Sequence, residues 1–442
     1  MPSRNRLKQN GRRSAAIIAA ALATCAAMNS RAVADTTAEW LNTSGDVWTN
    51  PADWSTNPNY PNNGTPGGTN YQALFDLAGS GPYTVTLNSN IAVDGLTLST
   101  ANATLNQTLG TLTIGAATIS SGTYSLNGGT LSGGAGGATV ALSGGGQFQL
   151  YSGTLDNLTF SGGNLNFFGN GTTPVTVTNG LNLSGNTLSF QGTSRTIHFD
   201  GPGQTIDQLT IDNSTAGATL GTISVGYTNS SSAVTLTMGS GASIHGNFQI
   251  NDNPSVAGNT LLNNGTLLVD TTGQTLSVGV SNFTNFGTAS SANGGTLKLA
   301  SSNWSNAPSG TISANNSTLN FAGSWSNSGT IQTTGTSNVV LGGTFATSVL
   351  GSLNLSANTT ASITGTVINT GNTLSVNGFS GIWSVNNGTI VGGTLQLGTT
   401  PSPTITAVTL NGTHVAGGDL DFNNANATLA VRGFNPFSAT GE

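Results

Sequence analysis

A chain of 442 residues with 63 glycines and only nine Lys or Arg against fifteen Asp or Glu is nearly uncharged for its length. Six of the nine cations (Arg4, Arg6, Lys8, Arg12, Arg13 and Arg31) come before residue 32, leaving three cations against fifteen acids, a net charge of −12. Such a body offers no basic patch to nucleic acid or an anionic membrane, and its recurring aliphatics and low charge exclude a disordered chain.

The first element is an export signal. A basic stretch to Arg13, an apolar run from Ala15 to Ala23 and the small-residue motif Ala32-Val33-Ala34 make residues 1–34 a secretory signal peptide, with cleavage expected between Ala34 and Asp35. The apolar run is too short for a permanent membrane anchor, so no transmembrane helix is expected in the mature chain. Arg12-Arg13 lacks the apolar residue that a twin-arginine signal wants next. Leu22-Ala23-Thr24-Cys25 departs from a lipoprotein box at Thr24. Cleavage after Ala34 removes the single cysteine, so disulfide and thiolate chemistry are excluded from the mature protein.

Residues 35–83 carry three of the six tryptophans (Trp40, Trp48 and Trp54) and show no clear period. They are expected to form an N-terminal cap, with the indoles packed over the first coil; an exposed carbohydrate-stacking platform is the alternative. Asp46 and Asp53 could share a Ca²⁺ there, but solvated surface acids fit better.

From 84 to 442 the pattern is period two in very short runs, such as Tyr83-Thr84-Val85-Thr86-Leu87 and Val234-Thr235-Leu236-Thr237-Met238. Gly-Gly, Asn-Gly and Ser-Gly pairs bound them and are expected to supply the positive φ of turns. Between residues 262 and 341 the phrases Asn263-Asn264-Gly265-Thr266, Asn285-Phe286-Gly287-Thr288, Pro308-Ser309-Gly310-Thr311 and Asn327-Ser328-Gly329-Thr330 recur every 19 to 23 residues. Phe283, Trp304 and Trp325 precede three of them, and a related phrase returns at Trp383. A period near twenty is one turn of a parallel β-helix. The expected fold is therefore all-β, a right-handed β-solenoid with a Trp-rich cap. About twenty residues per coil would make a rod of about 90 Å. Thr-x-Thr runs at 84–86, 111–113, 176–178, 235–237 and 404–406 are too unevenly spaced to align a flat threonine array.

The densest charged stretch holds Arg195, His198, Asp200, Asp207 and Asp212. Such a set could supply an acid/base pair or a Ca²⁺ site in a polysaccharide-cleaving β-helix. Alternation along Gln208-Leu209-Thr210-Ile211 is expected to put Asp207 and Asp212 on opposite faces, so solvated turn carboxylates are the better reading. His245 and His414 are expected to stand alone, with no Cys or Glu nearby, and no metal site or cofactor is expected.

Trp40-Leu41-Asn42-Thr43-Ser44-Gly45-Asp46-Val47-Trp48, Pro51-Ala52-Asp53-Trp54, Val93-Asp94-Gly95-Leu96-Thr97-Leu98 and the later Gly-Gly-Thr-Leu phrases at 128–131 and 294–297 carry a resemblance. The chain resembles exported bacterial proteins with autotransporter-associated β-strand repeats, many of which end in a PEP-CTERM-type sorting signal. The resemblance implies export, a β-solenoid and a cell-surface, matrix or adhesin role. The closing stretch from Phe434 to Glu442 departs from it, with no hydrophobic anchor or basic tail. The expected function is a non-enzymatic structural or adhesive protein, with extracellular polysaccharide or other surface proteins as partners. A secreted polysaccharide-acting enzyme or a glycan-binding module is the alternative.

Overall fold

Runs of four or five residues are too short to bury a face by themselves, and here each finds its partner one coil away. The computed structural model describes residues 35–433 apart from 79–80, 169–172, 194, 202, 228–231, 376–379, 397–403 and 417–427. Residues 1–34, where the signal peptide is expected, and the stretch from Phe434 to Glu442 lie outside the described residues. The chain winds into a parallel β-solenoid of about 15 turns. From Thr260 onward each turn presents three faces. Face A consists of Thr260–Asn263, Asn282–Asn285, Asn303–Asn306 and Ser324–Asn327. Face B consists of Thr266–Val269, Thr288–Ala292, Thr311–Asn315 and Thr330–Thr334. Face C consists of Thr275–Val278, Thr296–Leu299, Thr318–Phe321 and Asn338–Leu341. Every strand pairs in parallel and in register with its equivalent in the next turn.

Toward the N-terminus, neighbouring faces fuse into long bent strands such as Gln147–Ser161 and Val175–Phe190, where Asn157, Asn179 and Ser184 take positive φ at the bends. Coil length varies more than the repeats suggest. The step from Gly203 to its partner Thr235 takes 32 residues, because the strands Gly203–Asn213, Gly221–Val225 and Thr235–Met238 are widely separated in sequence. The stack is therefore about 70 Å long at ~4.8 Å per turn, shorter than the expected 90 Å.

Inward positions stack into one continuous core. Phe283, Trp304, Trp325 and Phe345 form an aromatic column on face A, all at most 5% exposed. The Trp304 and Trp325 rings lie 5.0 Å apart at 6°, and Trp325 and Phe345 lie 4.6 Å apart. Each indole N–H donates to a backbone carbonyl, Trp304 to Ala322 and Trp325 to Gly342. Beside this column runs a buried asparagine ladder. The Asn263 amide donates to Asn285 Oδ1 at 2.7 Å, Asn285 to Asn306 at 2.8 Å, and Asn306 to Asn327 at 2.8 Å. The amides of Asn285, Asn306 and Asn327 also donate to the backbone of the A-to-B corners, at Gly287, Gly310 and Gly329 respectively. Stacking thus satisfies polar groups that burial would otherwise penalise.

The glycines of the repeated phrases have a different purpose from the one expected. Gly265, Gly287, Gly310 and Gly329 do not take positive φ. A Cβ at each would run into a backbone carbonyl of the preceding turn: Ala242, Gly265, Asn285 and Ala307 respectively. Close approach between coils, not turn conformation, requires glycine there.

At the N-terminal end, Trp40, Trp48, Trp54 and Phe75 are each 1% exposed and pack in edge-to-face, tilted and, for Trp40 on Phe75, stacked contacts, with centroids 5.0–6.1 Å apart. Their indole N–H groups donate to the carbonyls of Asn42, Pro61 and Trp48. Stacking already begins within this segment: Thr36–Glu39 pairs with Tyr71–Phe75, while Trp40 bridges Trp54 in antiparallel fashion and covers the strand's outer edge. The three indoles are buried, so they offer no stacking platform to a sugar.

Candidate functional site

Side chains that share a coil point from different faces, whereas side chains one coil apart at the same register touch. That geometry disperses the stretch from Arg195 to Asp212. Arg195 is 7% exposed, with its guanidinium carbon 5.8 Å from the centre of the Phe167 ring. Its Nε and Nη1 have no hydrogen-bond partner among the described residues, and burial lowers its pKa. His198 is 2% exposed and stacked 3.9 Å from Tyr227; burial lowers its pKa, partly opposed by the charge of Asp200. Asp200 accepts from the Tyr227 backbone N–H at 2.7 Å, fixing the segment that covers His198.

Asp207 accepts from the backbone N–H groups of Gln208 and of Gly241 in the next turn, both at 2.9 Å. The expectation that Asp207 and Asp212 occupy opposite sides of one strand fails, because Gln208 takes φ +51° and turns the chain between two faces. Ile206, Leu209 and Ile211 point inward, and both aspartates lie outward, each on its own face. Asp46 and Asp53 are joined through Asn50, whose amide donates to both. Among the described residues, no group of three His, Cys, Asp or Glu side chains is placed to hold a metal ion.

Among the described residues, one ionic cluster is assembled by stacking, and it had no sequence signal. His245 does not stand alone: its Nδ1 lies 3.0 Å from Asp212 Oδ1 and its Nε2 lies 2.8 Å from Asp270 Oδ1. Asp212 pairs in register with His245 across 33 residues, a separation set by the enlarged turn. The Asp212 hydrogen bond, with Asp270 adding to it against partial burial, raises the His245 pKa to about 9. The imidazole is therefore protonated at neutral pH and bridges three successive turns. Because the folded pKa exceeds the unfolded value near 6.5, the stabilisation is complete below about pH 6.5 and is lost as pH rises through about 9. Discounted for solvent screening at a quarter-exposed site, it amounts to about 1–2 kcal/mol. Thermal unfolding of wild type and His245→Gln should differ most at pH 6 and converge above pH 9.

Grooves among the described residues also lie outside this cluster. One, of about 650 Å³, follows a corner past Gly134, Asp156, Asn157, Asn179, Gly180 and Gly203. Burial would raise the Asp156 pKa, but hydrogen bonds from Ser132, Asn179 and Thr178 outweigh it and hold the carboxylate below its ordinary range. Another, of about 340 Å³, crosses three strands of face A at 282–284, 303–305 and 324–326. Its outward columns are Asn282, Asn303 and Ser324, and Thr284, Ser305 and Ser326, each in register. No family model matches the chain, and neither a curated protein nor a solved structure matches it.

Proposed function

We propose that the protein is an exported, non-enzymatic β-solenoid rod serving as a structural or adhesive element of the bacterial cell surface or extracellular matrix. The observation that carries this reading is the continuous parallel pairing of the stack, whose register shifts only where the long bent strands turn a corner. The described chain pairs coil to coil from Thr36–Glu39 to Thr428–Arg432, with inner ladders of asparagine and tryptophan that stiffen it. Outward, the faces carry long columns of neutral hydroxyl and amide side chains. On face B, Thr187, Thr210, Ser243, Thr266, Thr288, Thr311 and Thr330 follow one another through seven turns. Register thus aligns threonines that their sequence spacing conceals, though the adjacent column mixes Asp212, His245 and Leu268 with serines. The acids of the candidate cluster cap turns or pair with His245, which supports the non-enzymatic reading over a polysaccharide-cleaving one.

Mass spectrometry of culture medium, outer membrane and protease-shaved cell surface tests the reading. Surface-associated peptides with a mature N-terminus at Asp35 are expected. Purified protein that cleaves polygalacturonate, with the activity lost in Asp200→Asn or Asp207→Asn, would overturn it.

A further inference from the structure

We infer that the face A groove binds a neutral polysaccharide laid along the coil axis, with Asn282, Asn303 and Ser324 meeting successive sugar residues. The inference gives the adhesive form of the proposed function a ligand class.

The groove's chemistry selects the ligand. All six outward side chains at 282, 284, 303, 305, 324 and 326 are neutral hydrogen-bonding groups, none of them charged, over a lining that also exposes apolar surface. The side chains of Asn282, Asn303, Ser324 and Ser326 have no hydrogen-bond partner among the described residues, so their donors and acceptors remain available. The contrast with the inner ladder three residues on is direct, since Asn285 and Asn306 use their amides on each other and on the backbone. The backbone of this face is committed to coil-to-coil pairing, so it cannot add a peptide strand. Recognition must therefore come from amides and hydroxyls, the groups that match a polyol.

The groove is also preorganised. Phe283, Trp304 and Trp325 form its floor from the core side, with the two indoles stacked and anchored through Nε1. A bound chain would order few protein groups, which lowers the cost of association. The matching groups recur at every turn, ~4.8 Å apart, along the axis and not across it. An extended polymer presenting hydroxyls at about one sugar per turn fits that repeat. The outer column continues in register as Thr260 on one side and Thr344 and Thr366 on the other, which gives the polymer a polar track beyond the groove. An anionic polymer is disfavoured by the acidic balance of the body, fifteen acids against three cations.

Affinity electrophoresis of the purified full chain in gels containing hydroxyethyl cellulose, soluble β-1,3-glucan, dextran or polygalacturonate tests the inference. Retardation by at least one neutral polymer is expected, and none by polygalacturonate. The double variant Asn282→Ala/Asn303→Ala should weaken that retardation at least tenfold with an unchanged Tm. Asn303→Asp, which keeps the shape and replaces the donors with charge, should also weaken it, while Thr311→Ala on face B should leave it intact. No retardation by any neutral polymer, or equal retardation of the double variant, would overturn the inference. Neither result touches the rod reading, whose test is location and not binding.

Discussion

Replacing Asn306 with aspartate is expected to destabilise the chain by about 3–5 kcal/mol at neutral pH, the cost of an uncompensated buried charge. Asn306 is 1% exposed and sits in the middle of the ladder, accepting from Asn285 and donating to Asn327. A carboxylate keeps the acceptor for Asn285 but removes the N–H groups that reach Asn327 and the carbonyls of Gly310 and Thr330. It also puts a negative charge among acceptors. Burial raises the pKa of such a carboxyl, and its protonated form regains one donor, so the deficit should shrink on acidification. Denaturant unfolding at pH 7 and pH 4 measures both. An Asn306→Asp variant as stable as wild type at pH 7 would mean that the ladder is not buried as described.

Truncating Trp304 to alanine is expected to cost about 3–5 kcal/mol, the usual range for losing a large core aromatic. The cavity would open between Phe283 on one side and Trp325 on the other, and the edge contact of Phe321 at 5.1 Å would go with it. It would also leave the carbonyl of Ala322 without the indole donor. Coils contact mainly their neighbours, so the damage should be local at first. Hydrogen exchange should accelerate in the turns from Asn282 to Leu341 before it does in the Trp40, Trp48 and Trp54 cluster. Uniform acceleration along the chain would argue for a single cooperative unit.

The solenoid was legible because its inner ladders repeat: the large residues at 283, 304 and 325 and the asparagines at 285, 306 and 327 keep a nearly constant interval. Alternation of threonine with aliphatics correctly marked which side of each strand is buried. Reading charge density along the chain did not locate a site, because consecutive residues turn a corner within a few positions. Arg195 to Asp212 looked like a cluster and proved to be spread over several faces. His245, 33 residues from Asp212 and 25 from Asp270, looked isolated and proved to be paired twice. Contact runs across coils, and the enlarged turns near 214–234 broke the interval that would have aligned these three residues. The repeated glycines were recognised for the right position and the wrong reason, since the neighbouring coil's carbonyls cannot be inferred until the coils are stacked. The face A groove escaped notice for a related reason: its six neutral groups come from three separate phrases.

The most direct test of the stacked rod is a distance series along one column. The chain beyond Cys25 has no cysteine, so nitroxides can be placed on single introduced thiols without background. Double electron–electron resonance on Thr187→Cys/Thr330→Cys, six turns apart in register, should give a single distribution near 29 Å at ~4.8 Å per turn. Thr187→Cys/Thr288→Cys, four turns apart, should fall near 19 Å by the same rise. Distances that scale with the number of turns, not with the residues between the labels, are the expected result. A broad distribution, or distances that ignore the turn count, would contradict the account.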